Sequence, residues 1–100
     1  MNEQEFIKNN QAAVSEYIAA YKSKIESKRN FQRLAKSQRE NDIDGTPEAE
    51  RELEQAGEIA QELSNKFDQI EISLVVAFKN QNNGHQGSID GELRELAVRS

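Results

Sequence analysis

The stretch that decides the fold reads TPEAERELEQAGEIAQELSNKFDQIEISLVVAF and covers residues 46–78. Its apolar residues recur at alternating steps of four and three: Ala49, Leu53, Ala56, Ala60, Leu63, Phe67, Ile70, Leu74 and Ala77. Because an average step of about 3.5 residues keeps side chains in one narrow stripe, the pattern predicts a long helix packed against another long helix. Thr46 suits the N-cap and Pro47 the first helical position. The stretch predicts a helix over 47–80, although the β-branched residues of 70–78 would also suit a strand.

A second apolar pattern predicts a first helix over 3–40. Its stripe consists of Ile7, Val14, Ile18, Tyr21 and Ile25. The Asn, Asp and Gly residues of 41–46 predict a tight turn, so the two long helices form an antiparallel hairpin. Facing residues then have numbers that sum to about 87. This register places Phe31 across from Ala56 and Gly57.

The apolar surface of the first helix is wider than the second helix can cover. At about 100° per residue, the full apolar set spans roughly half of the helix circumference. We therefore expect a third helix or a second chain on this surface. The part expected to stay free for a dimer or a partner contains Phe6, Tyr17 and Ala20.

The C-terminal region predicts a short last helix over 88–98, with Ser88 or Asp90 as its cap and a flexible link over 81–87 before it. On the second helix, Ile72 and Val76 point away from the main stripe, one turn apart. Two interpretations of this patch stay open. Either the last helix covers it, or it is a dimer or partner interface.

Together these elements predict an all-α fold in a single domain over 1–100. Two long helices form an antiparallel hairpin, a short C-terminal helix follows, and two copies dimerise into a helical bundle. The sequence has no apolar run long enough to span a bilayer, and its first residues do not resemble an export signal. We therefore expect a cytoplasmic protein without membrane contact. The absence of cysteine excludes disulfides and thiol chemistry.

No residue pattern predicts catalysis, a cofactor or a metal site. His85 is the only histidine, and it stands in the Gly-containing link, where no rigid neighbour would orient it. Residues 40–51 carry carboxylates spaced like the first ligands of an EF-hand loop, but Arg51 stands where a closing carboxylate is needed. We therefore do not expect an enzyme.

Charge is divided between the two long helices. Residues 22–39 carry seven cationic side chains and one carboxylate, a net of +6, and residues 47–64 carry six carboxylates and one arginine, a net of −5. Four cations share a stripe opposite the apolar arc: Lys22, Arg29, Arg33 and Lys36. Three carboxylates form an outward row suited to a basic partner: Glu54, Glu58 and Glu62. The segments predict charge complementarity that sets the pairing of the helices, and the alternative is phosphate binding by the basic stripe.

These features favour a non-enzymatic protein-interaction module, such as an adaptor, a small chaperone or an inhibitor, that binds itself or another protein. A nucleic-acid-associated regulator that uses the basic stripe is the alternative, and the net charge of −5 makes nucleic acid a less favoured partner. In outline, two helices around the turn Ile43-Asp44-Gly45 are also similar to the small secreted Trp-x-Gly hairpins of type VII secretion. That resemblance implies a secreted helical hairpin, but the tryptophan of the turn and the Tyr-to-acid motif of the tail are absent.

Overall fold

The computed structural model describes residues 2–81 and 88–100 of the chain. Four helices lie in this part: α1 (Glu3–Asn9), α2 (Gln11–Glu40), α3 (Pro47–Gln81) and α4 (Asp90–Arg99). The two long helices α2 and α3 form an antiparallel hairpin, and α4 packs mainly against α2. The molecule is elongated, with dimensions of 56 × 22 × 22 Å. The predicted all-α fold is confirmed, and 70–78 is helical throughout.

The N-terminal helix is not continuous, which corrects the prediction of one helix over 3–40. Asn10 leaves the helical conformation, with φ −126° and ψ 37°, and its side-chain amide donates to the Phe6 carbonyl oxygen at 2.8 Å. Asparagine interrupts helices because its short polar side chain competes for backbone hydrogen bonds. The break separates α1 from α2, and Gln4 and Ile7 of α1 line a groove with Leu96 of α4.

The turn between α2 and α3 ends at the predicted cap. The Thr46 hydroxyl oxygen accepts a hydrogen bond from the Ala49 amide at 3.3 Å and donates one to the Ile43 carbonyl oxygen at 2.9 Å. Gly45 has φ +106°, a value that L side chains rarely adopt, so glycine is needed there. Thr46 and Gly45 therefore fix where the chain reverses and where α3 begins.

The hairpin has the predicted register. The Gln38 side-chain amide donates to the Ala49 carbonyl oxygen at 2.8 Å, and the Phe31 ring lies 3.3 Å from the position that a Cβ would take at Gly57. The Tyr21 and Phe67 rings are 5.7 Å apart. In each pair the two residue numbers sum to 87 or 88. The pairing of Phe31 with Gly57 is thus confirmed.

The last helix starts slightly later than predicted and encloses the core. It begins at Asp90, and the N-cap position is held by Ile89, which makes no side-chain capping bond, rather than by Ser88 or Asp90 as predicted. Side chains from all four helices and from the residue before α4 form one core: Phe6, Val14, Tyr17, Phe67, Leu74, Phe78, Ile89, Leu93 and Ala97. Gln81 is the last residue of α3, and the rest of the predicted link, 82–87 with His85, lies outside the described residues.

Candidate interaction surfaces

The structure buries two residues that the sequence placed on a free face. Phe6 and Tyr17 are both 0% exposed. The Phe6 ring contacts the Phe78 ring edge-on, with centroids 5.3 Å apart, and Tyr17 lies 4.9 Å from Phe67. The prediction that both are available to a partner is wrong, because α4 fills the space that a second chain was expected to fill. Ala20 stays partly buried beside the core.

The outer side of α3 carries an exposed apolar patch. Ile72 is 63% exposed and Val76 is 48% exposed, one helical turn apart. The interpretation that the last helix covers them is therefore wrong, since α4 docks on the core side of the hairpin. Leu74 and Phe78 of the same helix are buried in that core, so the patch is held on a helix whose opposite side is fixed.

A polar cluster joins α2, α3 and α4. The Tyr17 hydroxyl donates to Glu71 Oε2 at 2.9 Å. Arg94 donates from Nε to the same oxygen and from Nη2 to Glu71 Oε1, both at 3.1 Å. The Glu71 side chain is only 15% exposed, whereas that of Arg94 is 60% exposed. This two-pronged contact is the strongest geometry that an arginine and a carboxylate can form, and here it holds the last helix on the hairpin.

The cluster shifts the acid–base behaviour of its members. The hydrogen bond from Arg94 lowers the pKa of Glu71 below its usual range, against the opposing effect of partial burial. Burial, and then the hydrogen bond to Glu71, raises the pKa of Tyr17 above its usual value. Tyr17 therefore stays neutral and acts as a donor, and Glu71 stays ionised and acts as an acceptor. The pattern fits a structural clamp with fixed proton positions.

Sequence reasoning overlooked this cluster, although a signal was present. Glu71 follows Phe67 by four residues and precedes Leu74 by three, so it lies on the buried side of α3. A carboxylate in that position needs a partner. The partner could not be named, because Arg94 belongs to another helix whose docking position the sequence does not define.

Three members of the predicted basic stripe line one groove. Lys22, Arg29 and Arg33 border a groove of about 590 Å³ between α2 and the end of α4, together with Tyr21, Ile25, Glu26, Ala97, Val98 and Ser100. Val98 is the most exposed large apolar side chain of the described residues, at 67%. The fourth member, Lys36, pairs instead with Glu40 of its own helix at 3.8 Å.

The charged segments of α2 and α3 do not pair directly. The row Glu54, Glu58 and Glu62 is exposed. Within residues 2–81 and 88–100, no ion pair joins the basic segment 22–39 to the acidic segment 47–64. The hairpin register rests instead on apolar contacts, on the bond from Gln38, and on Lys24, whose ammonium lies 4.5 Å from the centre of the Phe67 ring.

Shallow grooves run between α2 and α3 on the side away from α4. Ala13, Glu16 and Asn10 of α2 and Gln69, Ile70, Ser73, Leu74 and Ala77 of α3 line a groove of about 440 Å³. Nearer the turn, Glu16, Ala19, Ala20, Ser23, Leu63 and Lys66 line another. Nearly half of these residues are alanine or serine, and the others are longer apolar, polar or charged side chains.

The described part of the chain gives little support to a metal site or to a membrane-spanning helix. No group of three or more His, Asp or Glu side chains is placed there to hold a metal ion. None of the helices there combines the length and the apolar character needed to cross a membrane. Comparison with known proteins gives no match to a family model, to a curated protein or to a solved structure. Function therefore has to be argued from the surfaces.

Proposed function

We propose that this protein is a non-enzymatic protein-interaction module, an adaptor, small chaperone or inhibitor, whose partner binds the outer side of α3. The observation that carries the proposal is the exposure of Ile72 and Val76, at 63% and 48%, on a helix whose other side is buried. The patch lies on a helix that is already formed, so binding costs little conformational entropy. Apolar anchors at i and i+4 are typical of a helix that binds in a groove.

The acidic row indicates the chemistry of the partner. Eighteen residues separate Glu54 from Ile72 and Glu58 from Val76, and eighteen residues are about five full helical turns. The acidic and apolar residues therefore lie along the same side of α3. A matching partner has an apolar groove that continues into a basic patch.

Substitutions on α3 test the proposal with a matched control. Ile72→Glu and Val76→Glu place charge in the patch, whereas Ile59→Glu changes an isoleucine whose exposure, 54%, lies between theirs, on another side of the same helix. We expect affinity capture from the native host, read by mass spectrometry, to lose specific partners with the first two variants and keep them with the third. Circular dichroism checks that all three fold. Identical capture by all four proteins would contradict the proposal.

Nucleic-acid binding is the second candidate. It is favoured by the groove that brings Lys22, Arg29 and Arg33 together, although Glu26 lines the same groove. Binding through phosphates would weaken steeply with salt and would fall when Arg29 and Arg33 are replaced by alanine. Titration of labelled single- and double-stranded DNA and RNA at low salt tests it, and absence of binding removes this candidate.

A cytoplasmic location is part of the first proposal, in line with the first residues of the sequence, which do not resemble an export signal. Secretion as a small helical hairpin of the type VII kind is the alternative. Immunoblots of the cytosol and the culture medium distinguish the two locations.

A further inference from the structure

The side of the hairpin on which α4 docks continues toward the turn as a groove between α2 and α3. On α3, Gly57 and Ser64 precede Glu71 by fourteen and seven residues, so all three lie on one side of the helix. Arg94 of α4 contacts Glu71, which identifies this as the α4 side. Closer to the turn, this side has a groove lined by residues of α2 and α3: Lys28, Phe31, Gly57, Ala60, Gln61 and Ser64. We name it the turn-side groove.

The turn-side groove has a partly apolar lining and room for a helix. Phe31 is half-buried there, and Gly57 and Ala60 contribute no more than a methyl group. Such small residues let helices approach within about 8–10 Å of each other. The groove volume is about 350 Å³. From Lys28 to Glu40, the end of α2, the helix rises about 20 Å, which is the length of a packed helix of three to four turns.

Cations without a protein partner border the groove along α2. Lys28 lines the turn-side groove, and Arg29 lines the adjoining groove at the end of α4. Neither forms an ion pair within residues 2–81 and 88–100. The α3 residues that line the turn-side groove are uncharged. A helix bound there is therefore favoured when its carboxylates lie on the flank beside α2.

We propose that the turn-side groove binds an amphipathic helix of another protein, with its apolar stripe against Phe31 and an acidic flank along α2. The docking of α4 on the same side of the hairpin is the model for this contact. It buries Leu93 and Ala97 against the hairpin, and Arg94 on its flank pairs with Glu71. A bound helix would extend this third-helix layer toward the turn, with the acidic partner now on the incoming helix.

A second copy of the chain is a poor occupant of this groove. If two hairpins met along this side with their turns at the same end, the two α4 helices would collide, because both stand on the contacting sides. With the turns at opposite ends, a two-fold axis across the hairpin would set α2 against α2. That arrangement brings the two basic segments 22–39 together and is unfavourable. The occupant is therefore a different chain.

Binding of a designed helix to the full chain tests the groove. The probe is a fluorescent peptide of about fourteen residues, cross-linked on its solvent side to hold the helix, with a leucine stripe and glutamates on one flank. The control peptide has the same composition and cross-link in scrambled order. We expect fluorescence anisotropy to show binding of the probe and at least about tenfold weaker binding of the control. Equal binding of both peptides, or no binding of either, would overturn the inference.

Two pairs of charge reversals test the acidic flank. Lys28→Glu with Arg29→Glu alters the border of the groove, whereas Arg51→Glu with Lys66→Glu changes the net charge equally at exposed positions outside it. We expect the first pair to weaken binding of the probe about tenfold or more, and the second pair to change it less than about twofold. Circular dichroism checks that both proteins fold. Equal weakening by both pairs would overturn the assignment.

Nuclear magnetic resonance shows where the probe binds. Ala60 precedes Ile72 by twelve residues, about 18 Å along α3, so the turn-side groove and the proposed partner site can fail independently. We expect the amide shifts of 28–35 and 57–64 to change most. Changes centred on Ile72 and Val76 would overturn this inference and support the partner site on the outer side of α3. Single-stranded DNA that binds the groove more tightly than the probe at about 150 mM salt would also overturn it, in favour of nucleic acid.

Discussion

All four helices meet at the end of the hairpin remote from the turn, whereas the end that carries the turn consists of α2 and α3 alone. We name these regions the base and the tip (the tip covering residues 22–63). The same heptad stripe runs through both. In the base, six aromatic or large aliphatic side chains are less than 2% exposed: Phe6, Tyr17, Phe67, Phe78, Ile89 and Leu93. In the tip the buried residues are Ser27, Gln38 and Ala49.

The difference shows what a third helix adds to a hairpin. Two helices can hide only the narrow strip between them, so Phe31, Leu34 and Leu53 of the tip stay half-buried. Once α4 and α1 cover the base, large side chains become fully enclosed, and a carboxylate such as Glu71 needs partners. Stability is therefore concentrated in the base, and the tip contributes charge and open surface.

The largest expected effect compares one phenylalanine from each region. Phe67→Ala removes a fully buried ring and is expected to cost about 3–5 kcal/mol of unfolding free energy, while Phe31→Ala in the tip is expected to cost about 1–2 kcal/mol. Urea denaturation followed by circular dichroism measures both. Phe67→Leu serves the same comparison if the alanine variant is unfolded in water. Equal losses for Phe67 and Phe31 would show that the two regions are packed alike.

The second largest expected effect concerns the cluster of Tyr17, Glu71 and Arg94 in the base. Glu71→Ala leaves the buried Tyr17 hydroxyl without its acceptor and is expected to cost about 1–3 kcal/mol. Arg94→Ala is expected to cost about 1 kcal/mol or less, because the arginine side chain is largely exposed. A double-mutant cycle between Glu71 and Arg94 isolates their coupling. Additive losses would mean that the contact does not hold α4.

We expect low pH to destabilise the base region of the molecule, because Glu71 becomes protonated. The pKa of Glu71 is lowered in the folded protein, so its contribution is present above the ordinary carboxyl pKa and is lost as pH falls through the folded value. We expect Glu71→Gln to reduce the acid-induced loss of stability, and not to abolish it, because a hydrogen bond from Ser88 also lowers the pKa of Asp90. Glu58→Gln in the tip serves as the control. Urea midpoints measured across the acidic pH range test the prediction. The same pH dependence for Glu71→Gln and Glu58→Gln would contradict it.

The smallest effect concerns a glycine in the tip. A Cβ at Gly57 would lie 3.3 Å from the Phe31 ring, and that ring borders an open groove into which it can shift. Gly57→Ala is therefore expected to stabilise the protein by up to about 1 kcal/mol through helix propensity. Gly91→Ala in α4 meets no neighbouring atom within 4 Å and is the control. Thermal melts that show destabilisation by Gly57→Ala alone would indicate a rigidly packed tip.

Much of the backbone follows from local signals in the chain. Thr46, Pro47 and Gly45 determine where α3 begins, and the alternation of four and three predicts its whole length. The facing of Phe31 and Gly57 follows from a short turn between two long helices. The helix break at Asn10 was overlooked because its cause is one local hydrogen bond to Phe6, set against an otherwise continuous apolar pattern.

Unlike the backbone, the choice of which surfaces are covered and which stay exposed does not follow from local signals in the chain. The sequence by itself determined the helices, the hairpin and its register, since these depend on periodicity and turn chemistry within short stretches. Only the tertiary structure decided which apolar residues are covered, because α4 comes from a distant part of the chain and could have docked on either side of the hairpin. Its docking enclosed Phe6 and Tyr17, left Ile72 and Val76 exposed, and brought Arg94 to Glu71.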